Sequence, residues 1–419
     1  MKKHSNSVKK SESPMKRRNS RAEERRDSSE VMAELVSQLR QQLEVKSVAV
    51  AEAEAVRGEG DAIRPNLDRL TVGVDLGDQW SNYCILGLGG ETLREGQFRT
   101  RRQEVGEFFQ GLAISRVVIE VGTHSAWIRE LIAGLGHEVL VANAQRMEGS
   151  RRRRRKNDRI DAAKLARLGR VDPKSLYPIQ HRSTEVREDL LVIRVRDSLV
   201  ESRTKLISTV RGMVKTMGAR VQGCSSVSFS EKAVDQIPHE VRETLQPLLR
   251  LIQTLSEEIK SYEKRIEKLG SEKYMDTKLL RQVNGVGPVT SLAYVLTLET
   301  PQRFKRSRDV GPYLGLVPQQ EDSGDSQPQL GISKAGDRML RKLLVGSAHY
   351  ILGPFGPDTD LRRFGMKLCQ RGGKNAKKRA SVAVARKLAV LLHRLWSSGE
   401  VYEPLGHGTP KTITESAAA

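Results

Sequence analysis

Residues 70–88 read LTVGVDLGDQWSNYCILGL, and this stretch decides the fold predicted for the first half of the chain. It holds two short apolar runs, Leu70–Leu76 and Asn82–Leu88, of the kind that forms β-strands. A turn at Gly89–Gly90 follows, and Thr92–Arg99 is predicted to return as a third strand. Three strands in hairpin succession therefore open the sheet.

Helix and strand signals alternate from there to about residue 170. Two more strands are predicted at Arg116–Val121 and His137–Ala142. Helices are predicted over Glu104–Leu112, Ser125–Leu135 and Asp158–Leu168, the last of them ending at Gly169. Hairpin strands followed by helix–strand units predict an α/β fold, with a mixed sheet flanked by helices in the ribonuclease-H-like order.

Composition and periodicity divide the whole chain into five segments. These are an extension over 1–66, the α/β domain over 67–180, a helical and coiled-coil region over 181–275, a mostly α-helical domain over 276–405 and a tail over 406–419. The first 30 or so residues hold too few large apolar side chains to offset the entropy of ordering, so we expect disorder there. Helical spacing follows to about residue 57.

Nine apolar residues from Val241 to Leu269 alternate steps of four and three, which is the seam of a coiled coil. One interpretation is a coiled-coil arm that dimerises or spans the space between domains. The alternative is one long helix packed in an all-α domain. Because Pro247 lies within the seam, the continuous helix is expected to begin near it.

The charge of the chain points to a polyanionic partner. Lys and Arg number 72 against 51 Asp and Glu, a formal net charge of +21, and nucleic acid is the usual partner of such a surplus. Aromatic residues are only 4% of the chain, which disfavours binding through many stacked bases. A basic but solvated surface is the alternative.

The three cysteines lie far apart and form no CxxC pair, so a disulfide framework or a zinc site is not expected. Such cysteine usage suits a reducing cytoplasm. The sequence has no apolar run that would span a bilayer and no signal-peptide core. We expect a soluble cytoplasmic protein that is close to nucleic acid and has no membrane partner.

Four carboxylates are candidates for a metal site. Asp75 and Glu120 each end a predicted strand, and two acids at one sheet edge repel each other unless a cation lies between them. Asp158 and Asp161 are three residues apart, on one face of a predicted helix. Such a set can hold two divalent ions, which suits Mg²⁺ and the activation of oxygens in phosphodiester chemistry.

Each carboxylate alone has a plainer interpretation. Asp158 is a good helix-start residue, and Asp161 a surface partner of Arg or Lys. Asp75 is a turn acid, and the pattern Gly-Val-Asp-Leu-Gly around it also opens sugar kinases and actin-like ATPases.

A run of six basic residues precedes the third carboxylate and can neutralise phosphates beside the metal ions. It consists of Arg151, Arg152, Arg153, Arg154, Arg155 and Lys156. A solvated charge run or a localisation signal is the alternative.

Two motifs in the C-terminal domain suggest contact with a DNA backbone. Gly285 and Gly287 allow a tight turn before a helix that begins near Pro288, which resembles a helix-hairpin-helix motif. Backbone N–H groups at such a turn can hold a phosphate without reading sequence, whereas the plain alternative is a capped αα turn.

Residues 331–341 read GISKAGDRMLR and form the second motif. The plain interpretation makes Ser333 the N-cap of the following helix, with Gly336 and Asp337 in its first turn. The sharper interpretation makes Ser333 a nucleophile toward phosphorus. Three basic residues would then stabilise the phosphoryl charge, namely Lys334, Arg338 and Arg341.

Taken together, these motifs resemble the DEDD transposases of bacterial insertion sequences, of the insertion-sequence one-ten family. They are Gly-Val-Asp, Ile-Glu-Val-Gly-Thr, Lys-Asn-Asp-Arg-Ile-Asp-Ala and Gly-Ile-Ser-Lys-Ala-Gly, in this order. The resemblance implies a RuvC-like domain and a C-terminal transposase domain. It implies that Asp75, Glu120, Asp158 and Asp161 bind Mg²⁺, and that Ser333 forms a covalent phosphoserine link with DNA.

The family resemblance also implies partners. These are DNA, a guide (bridge) RNA in some members, and a homodimer or homotetramer with composite sites. The sequence departs from the family pattern in its long N-terminal extension and in Gly-Thr-His-Ser over 122–125, where an aromatic residue is expected after Thr-Gly. Two other functions stay open: a RuvC-type junction endonuclease that uses metal-activated water, with Ser333 as a helix cap, and a non-catalytic nucleic-acid-binding protein.

Overall fold

The computed structural model describes residues 68–143, 146–147, 158–319 and 330–406, with Asp158 described for its backbone alone. These residues divide into two compact units, with the boundary between His181 and Arg182. Several predictions lie outside the described residues: the disorder and helix before residue 58 and the basic run Arg151–Lys156.

The first unit is built on a five-stranded sheet in the order β3-β2-β1-β4-β5. The strands are β1 (Thr71–Asp75), β2 (Trp80–Leu86), β3 (Thr92–Arg99), β4 (Arg116–Glu120) and β5 (Glu138–Ala142). The first three are antiparallel neighbours, and β4 and β5 run parallel to β1. The predicted mixed sheet is confirmed, and its order is consistent with the ribonuclease-H-like fold.

Helices cover both faces of this sheet. They are α1 (Arg102–Gln110), α2 (Ser125–Gly134) and α3 (Asp158–Val171). Val72 and Val74 of β1 lie in one buried cluster with residues of α1 and α2. Since side chains alternate along a strand, the opposite face presents Gly73, and α3 packs there with Ala162 and Ala166.

Two predicted boundaries need correction. The helix expected to end at Gly169 continues to Val171, because this glycine serves packing: a Cβ there would lie 2.2 Å from Cγ2 of Val118. The strand predicted to reach Leu88 ends at Leu86, because the turn begins earlier. The N–H of Gly90 donates to the carbonyl of Gly87 at 3.1 Å.

The second unit is helical. Its helices are α4 (Thr184–Thr216), α5 (Phe229–Val234), α6 (His239–Glu272), α7 (Asp276–Leu280), α8 (Pro288–Leu298), α9 (Val310–Tyr313), α10 (Arg338–Leu352), α11 (Asp360–Gln370) and α12 (Ala376–Ser398). Residues 290–298 of α8 are buried throughout, so α8 lies inside the largest apolar cluster of the unit. The hydroxyl of Tyr294 donates to the carbonyl of Ala389 at 2.6 Å, and burial raises its pKa well above the usual value.

The two long helices, α4 and α6, pair antiparallel within the chain. Arg196 contacts Glu263, and the guanidinium Nη1 of Arg203 donates to Ser256 Oγ at 3.1 Å. All nine seam residues from Val241 to Leu269 are buried or half-buried in this one chain. The helix begins at His239 and not near Pro247, which lies on the exposed side, where water can reach the carbonyl it leaves unpaired.

Candidate functional site

The sheet brings two of the predicted carboxylates to one edge. Asp75 ends β1 and Glu120 ends β4, and these strands are parallel neighbours. Val74 is level with Ile119, so the two acids that follow them are also level. Because Val74 and Ile119 face α1 and α2, alternation turns the acids toward the face that carries α3. Asp75 is buried and Glu120 is half-buried.

The start of α3 lies at this same edge. A Cβ on Gly73 would lie 2.1 Å from the carbonyl oxygen of Ala162, so the helix backbone rests directly on β1. Toward its other end, the carbonyl of Gly169 accepts from Nη1 of Arg116, at the beginning of β4. The helix therefore runs against the strand direction, and the segment with Asp158 and Asp161 is at the carboxyl edge.

A fifth polar residue at this edge was not predicted. Asn82 of β2 pairs with Asp75, is buried, and accepts a hydrogen bond at 2.9 Å from Nε2 of Gln97. The interpretation of Asn82–Leu88 as an apolar strand hid it, since its first residue is polar. Its amide is a neutral neighbour of Asp75.

Among the residues that the structure describes, no three His, Cys, Asp or Glu side chains form a cluster suited to a metal ion. The side chain of Asp158 is not among those described, so only three of the four predicted carboxylates are described in full: Asp75, Glu120 and Asp161. Strand register and helix direction bring these three residues to one edge of the sheet, but their side chains do not form such a cluster. Oxygen donors of this kind are those that hard divalent ions prefer.

Ser333 lies in a short antiparallel ribbon of the second unit. Ile332 forms a β-bridge with Pro318, and the N–H of Ser333 donates to the carbonyl of Val317 at 2.9 Å. The residue after it, Lys334, adopts a left-handed backbone conformation with φ of +55°, which is unusual for a residue with a side chain. Ser333 itself is half-buried.

The interpretation of Ser333 as an N-cap is wrong. The helix α10 begins at Arg338, and Asp337 caps it by accepting at 2.8 Å from the N–H of Leu340. Gly336 has φ of +74° and precedes the helix, so neither it nor Asp337 lies in the first turn. The side chain of Ser333 is therefore not used in capping this helix.

The three basic residues of this motif differ in their surroundings. Nη1 of Arg341 donates to the carbonyls of Ala335 at 2.5 Å, Leu314 at 3.1 Å and Gly336 at 3.1 Å, so it holds the loop. Burial lowers the pKa of this guanidinium, although the nearby Asp337 opposes the shift. Lys334 directly follows Ser333 and Arg338 is the first residue of α10, and both side chains are exposed.

The glycine turn before α8 has the predicted form. Gly285 has φ of +89°, where a Cβ would lie 3.0 Å from Cδ1 of Tyr350, so only glycine fits well. Gly287 is the N-cap of α8 and Pro288 is its first residue, as predicted. The turn borders a cavity of about 660 Å³ that Arg281 and Lys342 also line.

Sequence reasoning missed a basic cleft in the second unit. A cavity of about 830 Å³ is lined by two carboxylates, Asp360 and Glu403, and by a larger number of cationic side chains, those of Arg306, Arg308, Arg386, Lys387 and Arg394. Val317 also lines this cavity, and its carbonyl oxygen accepts a hydrogen bond from the N–H of Ser333. The run Lys-Arg-Ser-Arg over 305–308 was the signal available in the sequence.

Comparison with known proteins places both units among transposases. A family model for DEDD transposases of the IS110 type matches residues 72–218, which include the four carboxylates. A second model, described as transposase IS116/IS110/IS902 family, matches residues 277–357, which include Gly285 and Ser333. No helix among the described residues has the length and apolar character needed to cross a membrane.

Curated relatives are similar over most of their length. A probable family 20 transposase of Pseudomonas aeruginosa is 30% identical over 354 residues, 81% of this chain and 99% of that protein. The transposase for insertion sequence element IS1111A of Coxiella burnetii is 28% identical over 340 residues, 79% of this chain and 90% of that one. The transposase for insertion sequence element IS1328 of Yersinia enterocolitica is 28% identical over 284 residues, 66% and 82% of the two chains.

Proposed function

The chain belongs to the IS110-type family of DEDD transposases, and on this premise we propose that it cleaves and rejoins DNA strands with Mg²⁺-binding carboxylates and a serine nucleophile. The observation that carries the proposal is the shared edge of β1, β4 and α3. Two strand-end acids are level there, and the helix that supplies the other two begins there.

Asp75, Glu120, Asp158 and Asp161 would hold the metal ions. A bound divalent ion at such an edge activates an attacking oxygen or stabilises a leaving one. The chain's own contribution is to keep the acids in place before the ion arrives. Close packing of α3 on the sheet does this, through Gly73 of β1 against Ala162 and through Gly169 of α3 against Val118, because neither element can slide without a clash.

The Ser333 Oγ would attack a DNA phosphorus and form a serine–phosphate ester, while the bond from that phosphorus to one sugar oxygen breaks. The sugar oxygen would leave as a free hydroxyl, and the proton it gains balances the one that Ser333 loses to solvent. Two observations support this role: the side chain of Ser333 does not cap α10, and a backbone hydrogen bond within the ribbon fixes the position of the residue. Lys334 and Arg338 are exposed and would stabilise the phosphoryl charge. Arg341 would instead keep the loop in shape through its carbonyl contacts.

DNA backbone contact is proposed for three further features. These are the basic run Arg151–Lys156, the turn at Gly285 and Gly287 as a helix-hairpin-helix motif, and the basic cleft at Arg306 and Arg386. The proposed division of labour is a RuvC-like domain over 67–180, a coiled-coil arm formed by α4 and α6 within 181–275, and a transposase domain over 276–405.

We also propose a homodimer or homotetramer, with a guide RNA as a further partner. Light scattering of the purified protein tests the assembly. Mixing the Asp75→Asn and Ser333→Ala variants tests whether the two chemical sites act from different chains, since only then does the mixture regain activity. Guide dependence is tested by adding the RNA encoded beside the gene.

Trapping a covalent protein–DNA adduct tests the central proposal. The full-length chain is incubated with Mg²⁺ and DNA that carries the ends of its own element, and adducts are resolved under denaturing conditions. We expect adducts with the native chain, none with Ser333→Ala, and at least a 100-fold loss with Asp75→Asn, which is about 3 kcal/mol of transition-state stabilisation.

A matched control is Ser347→Ala, which changes a serine of the same unit and should leave adducts intact. Cleavage that survives in Ser333→Ala would favour the junction endonuclease that uses metal-activated water. Unchanged activity in Asp75→Asn would leave only a nucleic-acid-binding protein.

A further inference from the structure

Two tryptophans lie at the same sheet edge as Asp75 and Glu120. Trp80 opens β2 directly after the turn that follows β1, and Trp127 lies in the first turn of α2 after β4. The chain has three tryptophans, and the third, Trp396, is buried in the second unit. Trp80 is 47% exposed, so part of its ring is accessible to a ligand.

Each of these rings is covered by an arginine. The guanidinium carbon of Arg99 lies 5.2 Å from the ring centroid of Trp80, its partner across β2 and β3. That of Arg102 lies 5.6 Å from the centroid of Trp127. The two cations are exposed and flank a third, Arg101. No ion pair with a carboxylate occupies any of the three within the described part of the chain.

The ring of Trp127 is also fixed in orientation. Its Nε1–H donates to Nδ1 of His124 at 3.2 Å, and the other nitrogen of that imidazole is 3.4 Å from Oδ1 of Asp78. Because Nδ1 is the acceptor, the proton of a neutral His124 is on Nε2, directed at the carboxylate. A ring already held in place loses little entropy when a ligand stacks on it.

We propose that Trp80 with Arg99, on the sheet face that carries α3, and Trp127 with Arg102, on the face that carries α1 and α2, are two base-stacking sites at the carboxylate edge, together called the platform, for unpaired bases of the DNA strand. Aromatic rings and guanidinium planes stack on any base, and unpaired cations meet the phosphates between bases. A closed duplex hides its base faces, so the platform takes a locally opened strand. Two stacking sites are compatible with the low aromatic content of the chain. The inference rests on the proposed function because that function makes DNA the partner at this edge.

A strand without bases separates stacking from charge. Binding of a short oligothymidylate and of the same strand with abasic sites is measured by fluorescence anisotropy with the full-length chain. The buffer contains about 0.15 M salt and no divalent ion, so that non-specific charge contacts are partly screened. We expect the native chain to bind the base-bearing strand at least about fivefold more tightly than the abasic one.

Variants assign this preference to the platform. Trp80→Ala and Trp127→Ala should each bring the two affinities closer together, and the double variant should bind both strands alike. Trp80→Phe should retain most of the preference, since it keeps an aromatic face. Because Trp127 is half-buried, Arg102→Gln serves as a second probe of that site without removing packed atoms.

The matched control is Phe355→Ala, which removes an aromatic ring that is 83% exposed in the second unit. It should leave the preference unchanged. The inference is overturned if the tryptophan variants keep the native preference. It is equally overturned if they lose affinity for an RNA strand of the same sequence while binding of the DNA strand stays native. No step uses a metal ion or Ser333, so failure of the adduct experiment leaves this result standing, and the reverse also holds.

Discussion

The carboxylate edge of the first unit and the Ser333 ribbon of the second are held in place by different forces. At the edge, α3 lies directly on β1 and β4, and glycines at 73 and 169 permit the contact. At the ribbon, hydrogen bonds between loop backbones and one arginine fix the position. Both regions leave no room for added volume at their glycines, since a Cβ on Gly315 would lie 2.2 Å from the carbonyl oxygen of Ala335 and one on Gly336 would lie 2.1 Å from that of Tyr313. The ribbon differs because it also depends on a side-chain donor, Arg341.

The largest effect is expected from added volume at the edge. Gly73→Val places a branched side chain where even a Cβ would lie 2.1 Å from backbone of α3, so the first unit should lose about 3 kcal/mol or more. Urea unfolding followed by tryptophan fluorescence measures it, since two of the three tryptophans lie in this unit.

The control for that change is Gly106→Ala. Gly106 lies within α1 and no atom is within 4 Å of its added Cβ, so the substitution should stabilise by up to about 1 kcal/mol. If Gly73→Val unfolds at the native urea concentration, the edge is not held by close packing and the contrast between the regions fails.

Loss of a donor at the ribbon should have the second-largest effect. Arg341→Ala leaves three carbonyls without their guanidinium partner and should cost about 2 kcal/mol. Limited proteolysis should then cut near residues 331–337 faster than in the native chain. Arg338→Ala changes an exposed arginine of the same helix and should stay within about 0.5 kcal/mol. Equal effects of the two variants would contradict the assigned role of Arg341.

A pH dependence should appear in the first unit. His137 is buried, its Nδ1 accepts from the N–H of Ser115, and its Nε2 lies 3.0 Å from the carbonyl of Phe109. Burial lowers the pKa of His137, so the unfolded chain binds this proton more tightly than the folded one. Stability is therefore complete above the unfolded pKa of about 6.5 and falls below it, by at most about 1.4 kcal/mol per pH unit.

Thermal unfolding between neutral and mildly acidic pH measures this dependence. His137→Gln keeps hydrogen-bonding groups but cannot titrate, so its stability should change less over the same range. If the stability of the native chain instead rises on acidification, folding does not lower the pKa of His137. The contacts of His137 with Ser115 and Phe109 would then need another explanation.

The smallest predicted effect is the difference in stability between variants of two candidate N-cap residues of α10, Asp337 and Ser333. Asp337→Ala removes the acceptor for the N–H of Leu340 and should cost about 1 kcal/mol. Ser333→Ala should change stability by less than about 0.5 kcal/mol, although it abolishes the adduct. Denaturant titration of both variants decides the matter. If Ser333→Ala costs more stability than Asp337→Ala, Ser333 caps the helix, and its proposed role as a nucleophile is weakened.

The sequence predicted the edge far better than the ribbon, for physical reasons. Periods of two and 3.6 residues place strands and helices, so Asp75 and Glu120 could be assigned to strand ends before any coordinates. The same reasoning placed the end of α3 at Gly169, because a glycine that ends a helix and one that permits close packing look alike in sequence. Only Val118, far away in the chain, distinguishes them.

The ribbon depends on contacts that no local pattern encodes. Both Ser333 and Asp337 are good cap residues by type, and the choice between them is made by the backbone at Lys334 and Gly336. Ser333 pairs with Val317, from which a polar segment of the chain separates it, and hydrophobic periodicity does not predict this pairing. The same holds for Trp80 and Arg99, which meet only because β2 and β3 pair.

The backbone of Lys334 has a consequence for engineering. A residue with a side chain in the left-handed region is about 1 kcal/mol less favourable than glycine at the same place. Selection of random variants for heat resistance alone would therefore enrich Lys334→Gly, and the survivors would lack a cation beside Ser333, the proposed nucleophile. A thermostable recombination tool derived from this chain should instead keep position 334 fixed and gain its stability at glycines such as Gly106.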